Sequence, residues 1–285
     1  MNIVNILEEI EKVDGEVYER LSPRRTAMKD FFSKSSKVAI AAMPFAIGSM
    51  FSKAYGASIP DKVLNVLQYA LTLEHFEYRF YATGYDAPTL MIPTEMGQRA
   101  AIQIIRDSEK KHVDFLKTVI TSAGATPVSE KVAYDFTAQG TFPTVFSSYG
   151  MFLAVAQVLE DTGVRAYKGR AGELLGEKVF LTAALGIHAV EARHAAKIRY
   201  MRAVNGQAPE NKSWISNATN GNDTGIAAVN GNYGGATPES NVSQAGVTIT
   251  NINGFAISAT AAAAAFDEPL TAAEVLALVA PFGVS

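Results

Sequence analysis

The sequence predicts an all-α fold, built around a four-helix bundle with one crossover connection. Two observations carry this prediction. Apolar residues recur at helical spacing through most of residues 61–204, and one pair of motifs occurs twice in that region. We expect N-terminal helices before the bundle, in residues 1–60, and a mostly irregular C-terminal tail in residues 205–285.

The composition is that of a globular protein with a substantial core. The chain has 285 residues, of which 48% are hydrophobic and 19% charged. Its net charge of -3 provides no basic field for nucleic acid. The absence of cysteine excludes disulfides, thiolate metal sites and thiol catalysis. No apolar run reaches the roughly 18 residues that a membrane-spanning helix needs.

The first 60 residues permit two interpretations. An acidic amphipathic stretch precedes "SPRRTAMKDFF" and the apolar run "VAIAAMPFAIGSMF" (38–51), which together resemble a twin-arginine export signal. However, Tyr55 occupies a place where a small residue is preferred. The other interpretation is a pair of helices, the second buried and broken near Pro44. The chain is therefore either cytoplasmic or exported, and cleavage within 1–57 is an open question.

Four helices are expected between residues 61 and 204. The first begins at Asp61 and ends at "GYDAP" (84–88). The others are expected from about Thr94, as the capping residue, to Ala123, from about Thr144 to Lys168, and from about Glu177 to Val204. Short loops join the first two and the last two helices, so each pair should be antiparallel. The longer link at 124–143 can carry the chain from one end of the bundle to the other.

The tail after residue 205 has a different character. It is rich in Asn, Gly, Ser and Thr and shows no helical period, so we expect a long loop without its own core, packed on the bundle. "GVTITNI" (246–252) alternates and predicts one short strand. Thr271 and Glu274 form a capping box before a last short helix. Trp214 is expected to pin the tail to the bundle.

An internal repeat carries six residues of chemical interest. "LEHFEYRFY" (73–81) matches "LEDTGVRAY" (159–167) in Leu, Glu, Arg and Tyr at the same offsets. Each copy is followed by a second helix with Glu-x-x-His, in "EKKH" (109–112) and "EARH" (191–194). The unit is therefore one helix with a single Glu, then one helix with Glu and His.

These residue types suit a site for two metal ions. A Glu and a His three residues apart lie on one face of a helix, so both can reach one ion. Four carboxylates and two imidazoles are the ligand set of di-iron and di-manganese helical bundles, and zinc can also occupy such a site. The candidate metal ligands are Glu74, Glu109, His112, Glu160, Glu191 and His194.

The setting of the single glutamates favours this interpretation. Glu74 and Glu160 lie in apolar helices, on the faces expected to point to the core. Buried carboxylates need a compensating charge, which two cations provide. Two alternatives remain: the Glu-x-x-His pairs are solvated pairs on a helix surface, or the bundle has kept its fold and lost its metal.

The motifs also resemble those of a known group of proteins. "ALTLEH", "EKKHVDFL", "LEDTGVRAY" and "VEARHAAKIR" occur in the order typical of the ferritin-like superfamily, and are most similar to ferritin-like domain proteins of the desiccation-associated type. The resemblance covers about half of the chain, residues 61–204. It implies a ferritin-like bundle and the same six metal ligands.

The resemblance implies iron or manganese chemistry with dioxygen or peroxide, either ferroxidase-like or catalase-like. It leaves open whether the chain is an enzyme at all, and it identifies no catalytic residue. A non-catalytic stress or structural protein, whose metal stabilises the fold, is one alternative. Iron storage is another, although the long N-terminal region and polar tail are unlike a cage-forming ferritin subunit. The absence of cysteine excludes a rubredoxin-type iron centre, and a homo-oligomer is compatible with the sequence.

Several neighbouring residues have secondary interpretations. Tyr81 and Tyr167 lie on the same helix faces as Glu74 and Glu160, where they can pack, hydrogen-bond to the site or carry a radical. Glu77 is a candidate shifting ligand. Arg79 and Arg165 are expected to pair with carboxylates around the site. His75 and His188 lie beside the ligand positions, as packed or exposed helix residues.

Overall fold

A computed structural model describes residues 59–208, 212–216 and 220–284. The predicted N-terminal helices and export segment lie outside the described residues. Four long helices dominate the described part: α1 (Asp61–Asp86), α2 (Gln98–Ser122), α3 (Tyr149–Ala171) and α4 (Lys178–Val204). They form the predicted bundle, with α1 packed mainly on α2, and α3 mainly on α4.

The helix boundaries follow local signals in the sequence, with corrections at the starts of α2 and α3. Helix α1 begins after Pro60, whose carbonyl accepts from the backbone N–H of Val63 at 2.9 Å. Thr94 does not cap α2, which is where the prediction is wrong. Met96 and Gly97 adopt left-handed φ angles of 54° and 69°, so the helix begins only at Gln98.

The third helix also begins later than predicted. The hydroxyl of Ser148 accepts from the backbone N–H of Met151 at 3.4 Å, so Ser148 is the capping residue and α3 starts at Tyr149. Short 3-10 turns follow α3 at Gly172–Leu174 and precede α2 at Glu95–Gly97. The ends of α1 and α4 lie close to the predicted residues.

The link between α2 and α3 crosses the bundle from end to end. Near its start, the backbone carbonyl of Thr126 accepts from Gln68 at 2.7 Å, close to the beginning of α1. Near its end, the backbone carbonyl of Phe146 accepts from Thr89 at 2.8 Å, just beyond the end of α1. The segment therefore runs along α1, which is the single crossover that the sequence predicts.

The tail adds short elements to the outside of the bundle. These are a 3-10 turn (Ala227–Val229), α5 (Asn230–Tyr233), β1 (Ser243–Gln244), β2 (Val247–Thr248), a 3-10 turn (Ile252–Gly254), α6 (Ala259–Ala263), α7 (Ala272–Val279) and a last 3-10 turn (Ala280–Phe282). The predicted strand is β2, which pairs antiparallel with β1. The predicted capping box of Thr271 and Glu274 is confirmed at the start of α7.

The tail shares the core of the bundle. Tyr233, Leu270 and Val275 are buried in the same hydrophobic cluster as Phe80 and Phe152. Trp214 does not pin the tail, since it is 55% exposed, whereas its neighbour Ile215 is buried. None of the helices in the described part of the chain has the length and apolar character needed to cross a bilayer.

Candidate metal centre

Four helices each contribute to one polar cluster at the centre of the bundle. Helix α1 supplies Glu74 and α3 supplies Glu160, while α2 and α4 each supply a Glu and a His three residues apart. The four carboxylates are almost completely buried, and the two histidines are 8% exposed. We call these six residues the inner cluster: Glu74, Glu109, His112, Glu160, Glu191 and His194.

The inner cluster consists of two overlapping groups of four. One group is Glu74, Glu109, His112 and Glu191, and the other is Glu109, Glu160, Glu191 and His194. In each group, one potential ligand atom per residue lies within 4.8 Å of all the others. Glu109 and Glu191 belong to both groups, so these two carboxylates are common to both candidate positions for a metal ion.

The histidines turn the same ring nitrogen toward the carboxylates. The Nδ1 atom of His112 lies 3.1 Å from Glu74 Oε2, 3.0 Å from Glu109 Oε2 and 3.1 Å from Glu191 Oε1. The Nδ1 atom of His194 lies 2.7 Å from Glu109 Oε1 and 3.4 Å from Glu160 Oε2. Oxygen atoms of several carboxylates thus surround one nitrogen on each side of the cluster.

Many polar atoms of the inner cluster have no hydrogen-bond partner. Among the described residues, none donates to or accepts from Glu109 Oε1, Glu160 Oε2, His194 Nδ1 or either oxygen of Glu191. The short contact between His194 Nδ1 and Glu109 Oε1 lacks the geometry of a hydrogen bond. Buried polar atoms without hydrogen-bond partners cost free energy, so their convergence fits the binding of a cation.

The electrostatics of the cluster reflect crowded negative charge. Burial raises the pKa of Glu74 and Glu160 above the usual range, and burial together with Glu74 raises the pKa of Glu191 to about 8. Burial alone would lower the pKa of His194, but Glu160 and Glu109 raise it to about 11. For His112, Glu74 and the other carboxylates likewise outweigh burial and raise the pKa. The protein therefore holds protons between these groups until a cation replaces them.

Two tyrosines tie the halves of the repeat together. Tyr81 on α1 donates its hydroxyl to Glu160 Oε1 on α3 at 2.5 Å, and Tyr167 on α3 donates to Glu74 Oε1 on α1 at 2.5 Å. Of the interpretations given by the sequence, hydrogen bonding to the site is thus the one that the structure supports. Each tyrosine fixes one oxygen of a carboxylate and leaves the other oxygen directed to the cluster.

The other residues near the site have partners outside the inner cluster. Arg79 pairs with Glu130 on the crossover at 2.5 Å, and Arg165 pairs with Glu239 in the tail at 2.8 Å. Both arginines thus pair with carboxylates that do not belong to the inner cluster. His75 and His188 lie near backbone carbonyls, those of Val128 and Val164 respectively, in line with their prediction as packed helix residues.

Small apolar cavities lie next to Tyr167, at one end of the inner cluster. Two of them have volumes of about 10 and 20 Å³ and share the lining residues Val66, Ala70, Leu174 and Ala184. A space of this size holds at most one or two molecules as small as water. Tyr167, whose hydroxyl donates to Glu74, lines both cavities, whereas no residue of the inner cluster lines either of them.

Comparison with known proteins identifies the bundle. Residues 62–203 match the family model described as ferritin-like domain. No curated protein and no solved structure matches the chain. The match covers all four long helices and every residue of the inner cluster, so the bundle is a ferritin-like domain.

Proposed function

We propose that the inner cluster binds two iron or manganese ions, and that the chain uses them for redox chemistry with dioxygen or peroxide. The observation that supports this proposal best is the pair of overlapping four-residue groups, which share Glu109 and Glu191. Two cation positions with two common carboxylates follow naturally from that arrangement.

The donor types suit iron and manganese. Carboxylate oxygens and imidazole nitrogens suit both ions, whereas sites that select copper(I) use sulfur ligands, and this chain has no cysteine. Four carboxylates carry about four negative charges when ionised, and two divalent or trivalent cations supply four to six positive charges. The charge of the site is therefore close to balanced when it is loaded.

The residues in and around the inner cluster have defined tasks in this proposal. His112 and His194 must lose the proton from Nδ1 before that nitrogen can donate its lone pair. Tyr81 and Tyr167 hold Glu160 and Glu74 in place through their hydroxyl groups. The surrounding apolar core excludes bulk water. The bound ions would supply one-electron valence changes and Lewis acidity toward an oxygen substrate.

The burial of the site restricts its substrates. The carboxylates are almost fully inaccessible, and the cavities beside Tyr167 have volumes of only about 10 and 20 Å³. Dioxygen and hydrogen peroxide are small enough to enter such a space. Organic substrates of ordinary size are not, which favours ferroxidase-like or catalase-like activity.

The test is to load metal-free protein with Fe(II) without oxygen, and with Mn(II) separately, and then to add air or peroxide. Oxygen consumption coupled to iron oxidation indicates ferroxidase activity, and oxygen release from peroxide indicates catalase activity. We expect at least one of these to exceed that of the Glu160→Gln variant. Silence in both assays with metal bound would contradict the redox proposal and favour a metal that only stabilises the fold.

Storage and cellular role belong to the same proposal. The motifs resemble those of desiccation-associated proteins, so we place the activity in protection against stress. Iron storage would require a large homo-oligomeric shell, and the mass of the protein in solution tests that alternative. A species of one to a few chains argues against storage.

A further inference from the structure

The two halves of the repeat differ at one buried position beside the inner cluster. When "LEHFEYRFY" (73–81) is aligned with "LEDTGVRAY" (159–167), Glu74 matches Glu160 and Tyr81 matches Tyr167. Glu77 matches Gly163. The first half therefore has an additional carboxylate where the second half has no side chain.

Because Gly163 has no side chain, Glu77 lies next to the inner cluster. Glu77 is buried on α1, and Gly163 lies on α3. A Cβ atom at Gly163 would lie 3.3 Å from Glu77 Oε1 and 3.3 Å from Glu191 Oε2. The two carboxylates thus border the same space, and any larger residue at position 163 would crowd both of them.

Glu77 has no partner that explains its burial. Within residues 59–208, 212–216 and 220–284, no hydrogen bond or ion pair involves its side chain. In that part of the chain, neither oxygen of the neighbouring Glu191 has a hydrogen-bond partner, although its Oε1 lies 3.1 Å from His112 Nδ1. A buried carboxylate without hydrogen bonds is costly unless a cation or a proton neutralises it.

We infer that Glu77 is a seventh ligand of the bound cation pair, next to Glu191, and that it makes the two cation positions unequal. This inference rests on the proposed function, since it needs the inner cluster to bind metal. The six other residues form two equivalent sets that the repeat relates to each other. Glu77 has no counterpart in the second half of the repeat, so it raises the metal affinity of only one of the two cation positions.

The test is a titration of the metal-free full-length chain with Mn(II), in which isothermal calorimetry and equilibrium dialysis measure the binding. For the unmodified chain we expect two binding steps with different dissociation constants. Glu77→Gln keeps the size of the side chain but removes its charge. It should weaken one step by about 10- to 100-fold and change the other by less than about threefold.

Two further variants separate coordination from a general effect of charge. Glu77→Asp keeps the charge but shortens the side chain, so it should weaken the same step as Glu77→Gln. Gly163→Ala places a methyl group between Glu77 and Glu191, and it should weaken that step as well. If Glu77→Asp binds like the unmodified chain, Glu77 acts through its charge alone and the inference is wrong.

The controls distinguish this inference from the proposed function. Circular dichroism and thermal unfolding establish that each variant folds. If Glu160→Gln weakens binding but Glu77→Gln does not, the proposed site stands and the role of Glu77 is refuted. If neither substitution changes either step, the proposed function fails together with the inference.

Discussion

Two polar clusters are buried on different sides of α3, and the consecutive residues Glu160 and Asp161 each belong to one of them. Glu160 points into the inner cluster, whereas Asp161 points to the tail. There Asp161 pairs with Arg199 and accepts from the Tyr233 hydroxyl at 2.6 Å, and Arg199 also pairs with Asp223 at 2.5 Å. We call Asp161, Arg199, Asp223 and Tyr233 the outer cluster.

The two clusters differ in how their charges are balanced. In the outer cluster, arginine and tyrosine donors satisfy the carboxylates of Asp161 and Asp223 within the protein. In the inner cluster, four carboxylates face only two histidines, and several atoms have no partner among the described residues. The comparison shows that burial of charge alone does not indicate a binding site. The inner cluster is distinguished by five buried polar atoms that converge without hydrogen-bond partners among the described residues.

The two halves of the repeat also differ, in the exposure of their outer faces. Arg79 and Arg165 occupy matching positions, yet the side chain of Arg79 is 49% exposed and that of Arg165 is 0% exposed. The tail covers the second half and accepts hydrogen bonds from Arg165 at the carbonyls of Asn232, Gly234, Thr237 and Glu268. The inner faces of the two halves are alike, whereas the outer faces have diverged.

The largest effect is expected where the tail joins the second half. Arg165→Ala leaves Glu239 and several carbonyls without their donor, so we expect a loss of about 3–5 kcal/mol in the free energy of unfolding. The loss should be the same with and without metal. Arg79→Ala is the matched control at the equivalent exposed position, with an expected effect below about 1 kcal/mol. Urea denaturation measures both, and equal losses would contradict the difference between the halves.

The adjacent residues of α3 separate the two clusters directly. Glu160→Gln should reduce metal affinity by about 100-fold or more, while the metal-free protein is at least as stable as before, since one unneutralised charge is removed. Asp161→Asn should lower the stability and leave the metal affinity unchanged, because it disrupts the pairing with Arg199 and does not alter the inner cluster. Calorimetric titration and urea denaturation of both variants test this. Loss of metal binding in Asp161→Asn alone would reverse the assignment of the clusters.

The inner cluster should give metal-free protein an unusual pH dependence. The folded-state pKa of Glu191 is raised to about 8 and that of His194 to about 11, above unfolded values of about 4.3 and 6.5. Groups that hold protons more tightly in the folded state stabilise it at low pH, and this stabilisation is lost as pH rises. Metal-free protein should therefore lose stability from about pH 4 to about pH 8 as Glu191 loses its proton, and from about pH 6.5 to about pH 11 as His194 loses its proton.

The metal-loaded protein should show the opposite trend over the same range. Cations replace the protons of the inner cluster, so binding releases protons and becomes tighter as pH rises. Thermal unfolding of both forms at several pH values measures the difference. Parallel curves for the two forms would show that metal binding is not linked to these groups.

The smallest effect is expected at the tyrosines. Tyr81→Phe removes the hydrogen bond to Glu160 and retains the aromatic contact with Phe80. We expect about a 10-fold decrease in metal affinity and a change of about 1 kcal/mol or less in stability. Tyr167→Phe should have the same effect, because the Tyr167 hydroxyl donates to Glu74, which matches Glu160 in the repeat. A binding constant that is unchanged in both variants would make the tyrosines packing residues only.

Local patterns make the bundle and the inner cluster predictable from the sequence. Helical spacing fixes which face of each helix is apolar, and three-residue spacing places Glu109 with His112 and Glu191 with His194. The repeat then indicates that Glu74 and Glu160 approach the same centre. The start of α2 is not predictable in this way, because it depends on the left-handed backbone conformation of Met96. A methionine rarely adopts a positive φ angle, so the sequence does not indicate it.

The outer cluster could not be predicted, for a physical reason. Asp223 and Tyr233 come from a loop without periodicity, and their partners on α3 and α4 are far away in the sequence. Trp214 shows the same limit, since hydrophobicity predicts burial but the backbone path decides that Ile215 is buried instead. The sequence indicates Glu77 as a candidate shifting ligand, but its proximity to Glu191 across Gly163 becomes visible only when the helices are seen together.

The most direct test of the account is the number of metal ions that the inner cluster binds. Metal-free protein should be dialysed against Mn(II), or against Fe(II) without oxygen, and its metal content determined by elemental analysis. We predict close to two ions per chain for the unmodified protein, and a clear decrease for Glu160→Gln. Well under one ion per chain, or equal content in the two proteins, would contradict the claim that these buried carboxylates exist to bind a cation pair.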